Sequence, residues 1–146
     1  MSSYAWIVVA DSARARIFSV ASASAPLIPM DQLVHPEARL HDKDMKSDRP
    51  GRAFDSHGDG RHATGTPVSP KEQESIRFAK TIAEHLDQGR INNRFKRLAL
   101  VADPRFLGHI RKSISDEVEK LVTLEIDKDL SKAEDSDIRE RLPERL

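Results

Sequence analysis

The chain has no cysteine. That excludes disulfides and thiolate chemistry, and it suits a reducing compartment. Long apolar runs are also missing. The opening MSSYAWIVVADSARARIF has no basic leader and is broken by Asp11, so it does not read as a signal peptide. No stretch approaches the ~20 apolar residues needed to cross a bilayer. A cytoplasmic protein without membrane contact is expected. Net charge is absent too: 24 Lys and Arg balance 24 Asp and Glu. A neutral chain has no long-range field to draw in polyanions, so any such contact must be local. No internal repeat is found. The 146 residues suit one domain with one core.

What is present is a long polar run. HDKDMKSDRPGRAFDSHGDGRH fills positions 41–62, and the whole polar connection covers about 36–69. Between His35 and His62 lie six acids, six Lys or Arg, and four of the six histidines. A connection of this length inside a compact domain is usually a functional loop or a disordered one. Pro50 and Gly51 mark a turn within it, and Phe54 is its one large aromatic residue, suited to pin it to the body.

The flanks read as core. Residues 4–10, YAWIVVA, form a strand apolar on both faces and therefore central. After Asp11-Ser12-Ala13, residues 14–20 alternate, with Ala15 and Ile17 on one side and Arg14, Arg16 and Phe18 on the other. A third strand within 27–34, expected over Met30 to Val34 and irregular because of Pro26 and Pro29, completes an antiparallel meander. Ser69-Pro70-Lys71-Glu72 starts a helix: Ser69 caps, Pro70 suits the first position and Glu72 completes a capping box. That helix is expected to stop at Gly89, with Ile76, Ala79, Ile82, Ala83 and Leu86 inward. RLALVA at 97–102 reads as a second central strand, parallel to the first. Asp103-Pro104 opens another helix with Phe106, Leu107, Ile110 and Ile114 inward. A last strand lies in 121–126, and Asp135 or Ser136 caps a short terminal helix. The fold class is α/β: a mixed five-stranded sheet with packed helices.

No complete catalytic constellation is found, and no cofactor is expected. Three residues would carry a catalytic role if there were one. Asp11 and Asp103 each follow a central strand, at the edge where open α/β sheets bind ligands. Together they could hold Mg²⁺ for phosphodiester hydrolysis, although turn and cap duty accounts for both. Gln73 sits near the first turn of the helix that ends the loop. His41, Asp42, Asp44, His57, Asp59 and His62 are metal ligands by type, but their spacing matches no tight metal motif, and no metal site is expected. Charge is unevenly placed. Positions 90–112 hold seven basic residues against Asp103 alone, and 116–146 hold eleven acids against six bases. Arg94, Lys96, Arg97, Arg105 and Arg111 could meet phosphates. No aromatic residues interleave with them on a strand, which argues against stacking of single-stranded bases.

Five blocks together carry a resemblance: WIVVADSARARIF, SDRPGRAFDS, IRFAKTIAEHL, LALVADPRFLGHIR and EIDKDLS. In this order they resemble the bacterial host-attachment family, over nearly the whole chain. That family in turn is similar to the central domain of archaeal and eukaryotic class-1 peptide release factors. There a strand meander leads into a loop bearing Gly-Gly-Gln and then a helix. Here Lys71 and Glu72 stand before Gln73, where the two glycines would be. The resemblance therefore implies fold and topology, and not peptidyl-tRNA hydrolysis. With the loop, it points to a binding module that meets RNA or a ribosome-associated partner; Arg49, Arg52, His57, Arg61 and His62, with Arg77 behind them, offer the cations for phosphate. The rivals are the Asp11/Asp103 hydrolase and a protein-binding adaptor whose loop orders on its partner. Oligomeric state is left open.

Overall fold

A strand with apolar side chains on both faces needs a layer on each side of it. β1 (Ala5–Ala10) is such a strand, and all six of its residues are buried. β2 (Arg14–Val20) returns antiparallel beside it, with Ala10 opposite Ala15. β3 (Ile28–Val34) adds to β2, also antiparallel, with a register shift between Ile17 and Phe18 near Pro29. On the other edge of β1 runs β4 (Leu98–Ala102), parallel, with Ala10 beside Ala102. β5 (Val122–Ile126) lies parallel to β4. The strand order is β3-β2-β1-β4-β5. The structure, a computed structural model, describes residues 3–35 and 69–146.

Side-chain alternation along β1 then sorts two cores. Trp6, Val8 and Ala10 face α1 (Pro70–Ile91), α2 (Pro104–Ser113) and α3 (Asp116–Glu119), meeting Phe78, Ile82, Leu86, Phe106, Ile110 and Val118. Ile7 and Val9 face the opposite way, with Phe18 and Val101. There Leu130, Ile138 and Leu142 cover them, Ile138 lying on α4 (Asp135–Arg141). Each fully buried Leu, Ile or Phe side chain contributes roughly 1.5–3 kcal/mol. Among the described residues no helix is long and apolar enough to cross a membrane.

The expected α/β mixed sheet is present, strand for strand. Four local expectations change. Gly89 does not end α1, which continues to Ile91. A Cβ on Gly89 would lie 2.8 Å from two Trp6 ring carbons and 2.9 Å from Phe95, so the glycine makes room for the Trp6 ring. The stop comes at Asn92 and Asn93, where Asn93 takes φ 56°, a left-handed conformation that Asn tolerates. Phe78 is buried in the α1 stripe and Ile76 only partly so. The α3 turn was not expected; Ser115 caps it, its Oγ accepting from Val118 N at 3.1 Å. Neither Asp135 nor Ser136 caps α4. Glu134 stands at the cap position without a side-chain bond, and the Asp135 carboxylate instead accepts from Arg16 Nη2 at 2.6 Å.

Candidate functional site

β1, β3, β4 and β5 all run toward the same edge of the sheet, because β1, β4 and β5 are parallel and two antiparallel steps bring β3 back into line. Asp11, Ser12, His35 and Asp103 emerge there. Between β1 and β4 the chain connections diverge, which is the place where open α/β sheets form ligand crevices. α1 and α2 begin at this edge, each with proline at the first turn and a side-chain cap.

The polar segment leaves this edge after His35 and returns to it at Ser69. Its two ends are fastened together. His35 Nε2 lies 3.0 Å from Glu74 Oε1, and the His35 ring stacks on Phe78 with centroids 5.1 Å apart. The other Glu74 oxygen accepts from Arg77 Nη1 at 2.6 Å. Ser69 Oγ accepts from Glu72 N at 3.0 Å. Arg77 is thus an exposed cation at the root of the segment, paired with Glu74. Gln73 is also exposed, with its backbone N–H bonded to Ser69 O at 2.9 Å. It is the fourth residue of a helix, not a loop tip.

Beside this root lies a cavity of about 280 Å³, walled by Ser12, Ser69, Lys71, Glu72, Arg105 and His109 among others. Glu72 organises it. Its Oε1 accepts from Arg105 Nη1 at 3.0 Å, and its Oε2 lies 2.8 Å from His109 Nε2. The His109 contact has the distance of a hydrogen bond but not its alignment. The capping box is therefore half made, since the Glu72 carboxylate joins α1 to α2 and does not turn back to Ser69. Arg105 and His109 sit four apart, one turn of α2, and so face Glu72 together. That spacing is the signal in the sequence from which the pairing could have been found. The cavity chemistry is mixed: hydroxyls, the two carboxylates of Glu72 and Asp103, and cationic or ionisable nitrogen groups, suited to hold a polar group.

The two strand-end carboxylates have backbone duties. Asp11 Oδ1 accepts from Ala13 N at 2.8 Å and Arg14 N at 2.9 Å, closing the β1–β2 turn. Its Oδ2 accepts from Ser131 Oγ at 2.7 Å. Asp103 Oδ2 caps α2 through Phe106 N at 3.2 Å. Among the described residues no three of His, Asp and Glu are grouped to hold a metal ion. Sequence reasoning missed Ser131, which is 2 % exposed and also contacts Asp129 Oδ1 at 2.6 Å. The pair draws the segment after β5 onto the β1–β2 turn. Arg49, Arg52, His57, Arg61 and His62 lie outside the described residues. So do Phe54, the turn at Pro50 and Gly51, and the metal-ligand types His41, Asp42, Asp44 and Asp59.

The basic stretch 90–112 is not one surface. Arg94, Lys96 and Arg97 precede β4, and Arg105 and Arg111 follow it, so the strand separates them. Arg105 is held by Glu72. Arg111 donates to Glu125 at 2.9 Å, and the hydrogen bond and charge of Glu125 raise its pKa above the ordinary arginine value.

Comparison with known proteins places the chain. An uncharacterised protein of Rickettsia prowazekii (strain Madrid E) is 31% identical over 83 residues, covering 56% of this chain and 49% of that one. The chain thus spans about half the length of that curated relative. Among similar solved structures is one described as an archaeal protein, with TM-score 0.46 and 10% identity over 88% of this chain and 32% of the other. Another is an archaeal translation termination factor, with TM-score 0.49 and 12% identity over 96% of this chain and 35% of the other. At these scores neither likeness bears on activity. The family model described as "Protein required for attachment to host cells" matches residues 6–142, and the chain belongs to that family.

Proposed function

We propose that this protein is a cytoplasmic, non-enzymatic binding module whose polar segment 36–68 contacts RNA, free or within the ribosome. The observation that carries the reading is the fastening of both segment ends to one sheet edge. His35–Glu74 holds the outgoing end and the Ser69 cap holds the returning end, beside a cavity bearing Arg105 and His109. Closing the root in this way reduces the conformational freedom lost on binding. The segment itself supplies Arg49, Arg52, His57, Arg61 and His62 as cations for phosphate, with Arg77 at its root. Gly51, Gly58 and Gly60 allow close backbone approach. An effect on attachment to host cells would then be indirect, through what the bound RNA does.

Co-sedimentation with ribosomes tests this. The wild type should sediment with them at low salt and be released as salt rises. Arg49→Gln/Arg52→Gln should reduce the bound fraction about tenfold. Equal sedimentation of wild type and double variant would remove the segment from the account. Binding that survives both nuclease and salt would assign the segment to a protein partner instead.

A further inference from the structure

At the opposite edge of the sheet the turn from α1 into β4 carries a cationic surface of different construction. From Gln88 to Ala102 the chain has no acid, and it has Arg90, Arg94, Lys96 and Arg97. Arg90 is neutralised by Asp87, 3.1 Å away. The other three are exposed, and among the described residues none has a carboxylate partner. This sets them apart from Arg16, Arg77, Arg105 and Arg111, each of which is paired. Arg94 and Arg97 each rest on an aromatic ring instead. The Arg94 Cζ lies 5.7 Å from the centroid of the Trp6 ring, and the Arg97 Cζ lies 4.9 Å from that of Tyr4.

The backbone beneath them is tied down as well. Arg94 N donates to Gly89 O at 2.8 Å, Ser3 N to Arg94 O at 2.8 Å, and Trp6 N to Arg97 O at 3.0 Å. Phe95 is buried against Trp6, with ring centroids 4.6 Å apart. The left-handed Asn93 sets the turn, and Gly89 admits the Trp6 ring under it. On the β5 side the next exposed residue is another cation, Lys120, beside Leu121, whose carbonyl accepts from Leu98 N.

Guanidinium groups resting on aromatic rings keep their hydrogen-bond donors available, and little side-chain freedom remains to be lost on binding. Two such groups with a lysine between them, on a turn without an acid of its own, set cations across the end of the sheet, Arg94 over the ring that packs toward α1 and Arg97 over the ring that packs beside Leu146; a phosphodiester backbone following that edge would meet them in turn. We infer that Arg94, Lys96 and Arg97 form a phosphodiester-binding surface for a nucleic acid backbone. It stands on this turn alone, at the edge of the sheet opposite His35 and Ser69. With phosphate contacts only, it would read charge spacing and not base sequence.

Fluorescence anisotropy with labelled single-stranded oligouridylate and with duplex DNA, between about 50 and 200 mM salt, tests it. Arg94→Gln/Lys96→Gln/Arg97→Gln should weaken binding about tenfold at low salt. On the single strand it should lower the salt slope by about 2, at roughly 0.7 per lost contact. The probe that loses more identifies the preferred backbone. Lys112→Gln/Lys128→Gln/Lys132→Gln removes the same charge at other exposed sites and should leave both quantities near wild type. If the triple variant does not fold, Lys96→Gln alone, which has no ring contact to lose, should lower the slope by about 0.7. An unchanged slope in the turn variants, an equal loss in the control, or no binding of either probe by the wild type would overturn the inference. A loss in Arg49→Gln/Arg52→Gln with none in the turn variants would overturn it while leaving the segment's role intact.

Discussion

Two helical glycines have opposite surroundings, and substituting each by alanine should move stability in opposite directions. Gly89 is packed against Trp6 and Phe95 at 2.8–2.9 Å from where a Cβ would be. Alanine has the better helix propensity by about 1 kcal/mol, but overpacking a buried site costs about 1–3 kcal/mol. Gly89→Ala should therefore lower the denaturation midpoint. Gly108 has nothing within 4 Å of its would-be Cβ, so Gly108→Ala in α2 should raise stability by about 0.5–1 kcal/mol. Urea unfolding of both variants checks the pair; a gain at Gly89 would mean that the Trp6 ring moves aside freely. Ser131 is the other residue on which much depends. Its hydroxyl is buried between Asp11 and Asp129, at 2.7 and 2.6 Å. Ser131→Ala leaves carboxylate oxygens without that partner and should cost about 1–3 kcal/mol in the same measurement.

At the scale of elements, caps decide where α1 and α2 begin, and Asp103 separates two accounts of the strand-end carboxylates. As a cap, Asp103→Asn should be nearly neutral, because Asn caps as well as Asp, while Asp103→Ala should cost about 1 kcal/mol. Thermal unfolding of the two variants distinguishes this from a role that needs the negative charge, which Asn would abolish. The elements themselves were legible in the sequence because their signals are local. A six-residue apolar run makes β1, and Ser69-Pro70 and Asp103-Pro104 start helices. What was not legible depends on residues distant in the chain. Gly89 has the identity of a helix stop, but its position is decided by Trp6, some eighty residues earlier. Asp135 looks like a cap, but Arg16 takes its carboxylate. Glu72 looks like half of a capping box, but Arg105 and His109 draw it across to α2. In each case a charged or aromatic partner from elsewhere in the fold outweighs a local preference worth about a kcal/mol.

For the whole molecule, zero net charge conceals a division by edge. The carboxyl edge carries the fastened root of segment 36–68 and the Glu72 cavity; the amino edge carries Arg94, Lys96 and Arg97. The sequence showed the polar segment and the basic stretch; it put Asp11 and Asp103 at one edge, and Gln73 and Arg77 on the helix that ends the segment. It could not show that β4 divides the basic stretch, because adjacency along the chain says nothing about which end of a strand a residue occupies. It also could not show that Asp11 reaches Ser131, a contact spanning 120 positions. The root contact has its own test. Glu74→Gln keeps a hydrogen-bonding group toward His35 but removes the charge that holds Arg77, and it should weaken RNA binding less than Glu74→Ala, which releases both. Equal binding by the two variants would show that fastening the segment does not matter.

Segment 36–68 is proposed to touch RNA. Ultraviolet crosslinking in cells, followed by identification of the crosslinked peptides and of the RNA attached to them, reads this directly. Peptides containing Arg49, Arg52 or Arg61 should be joined to ribosomal or transfer RNA, and should be lost in Arg49→Gln/Arg52→Gln. Recovery of the protein without RNA, or with crosslinks confined to other parts of the chain, would contradict it.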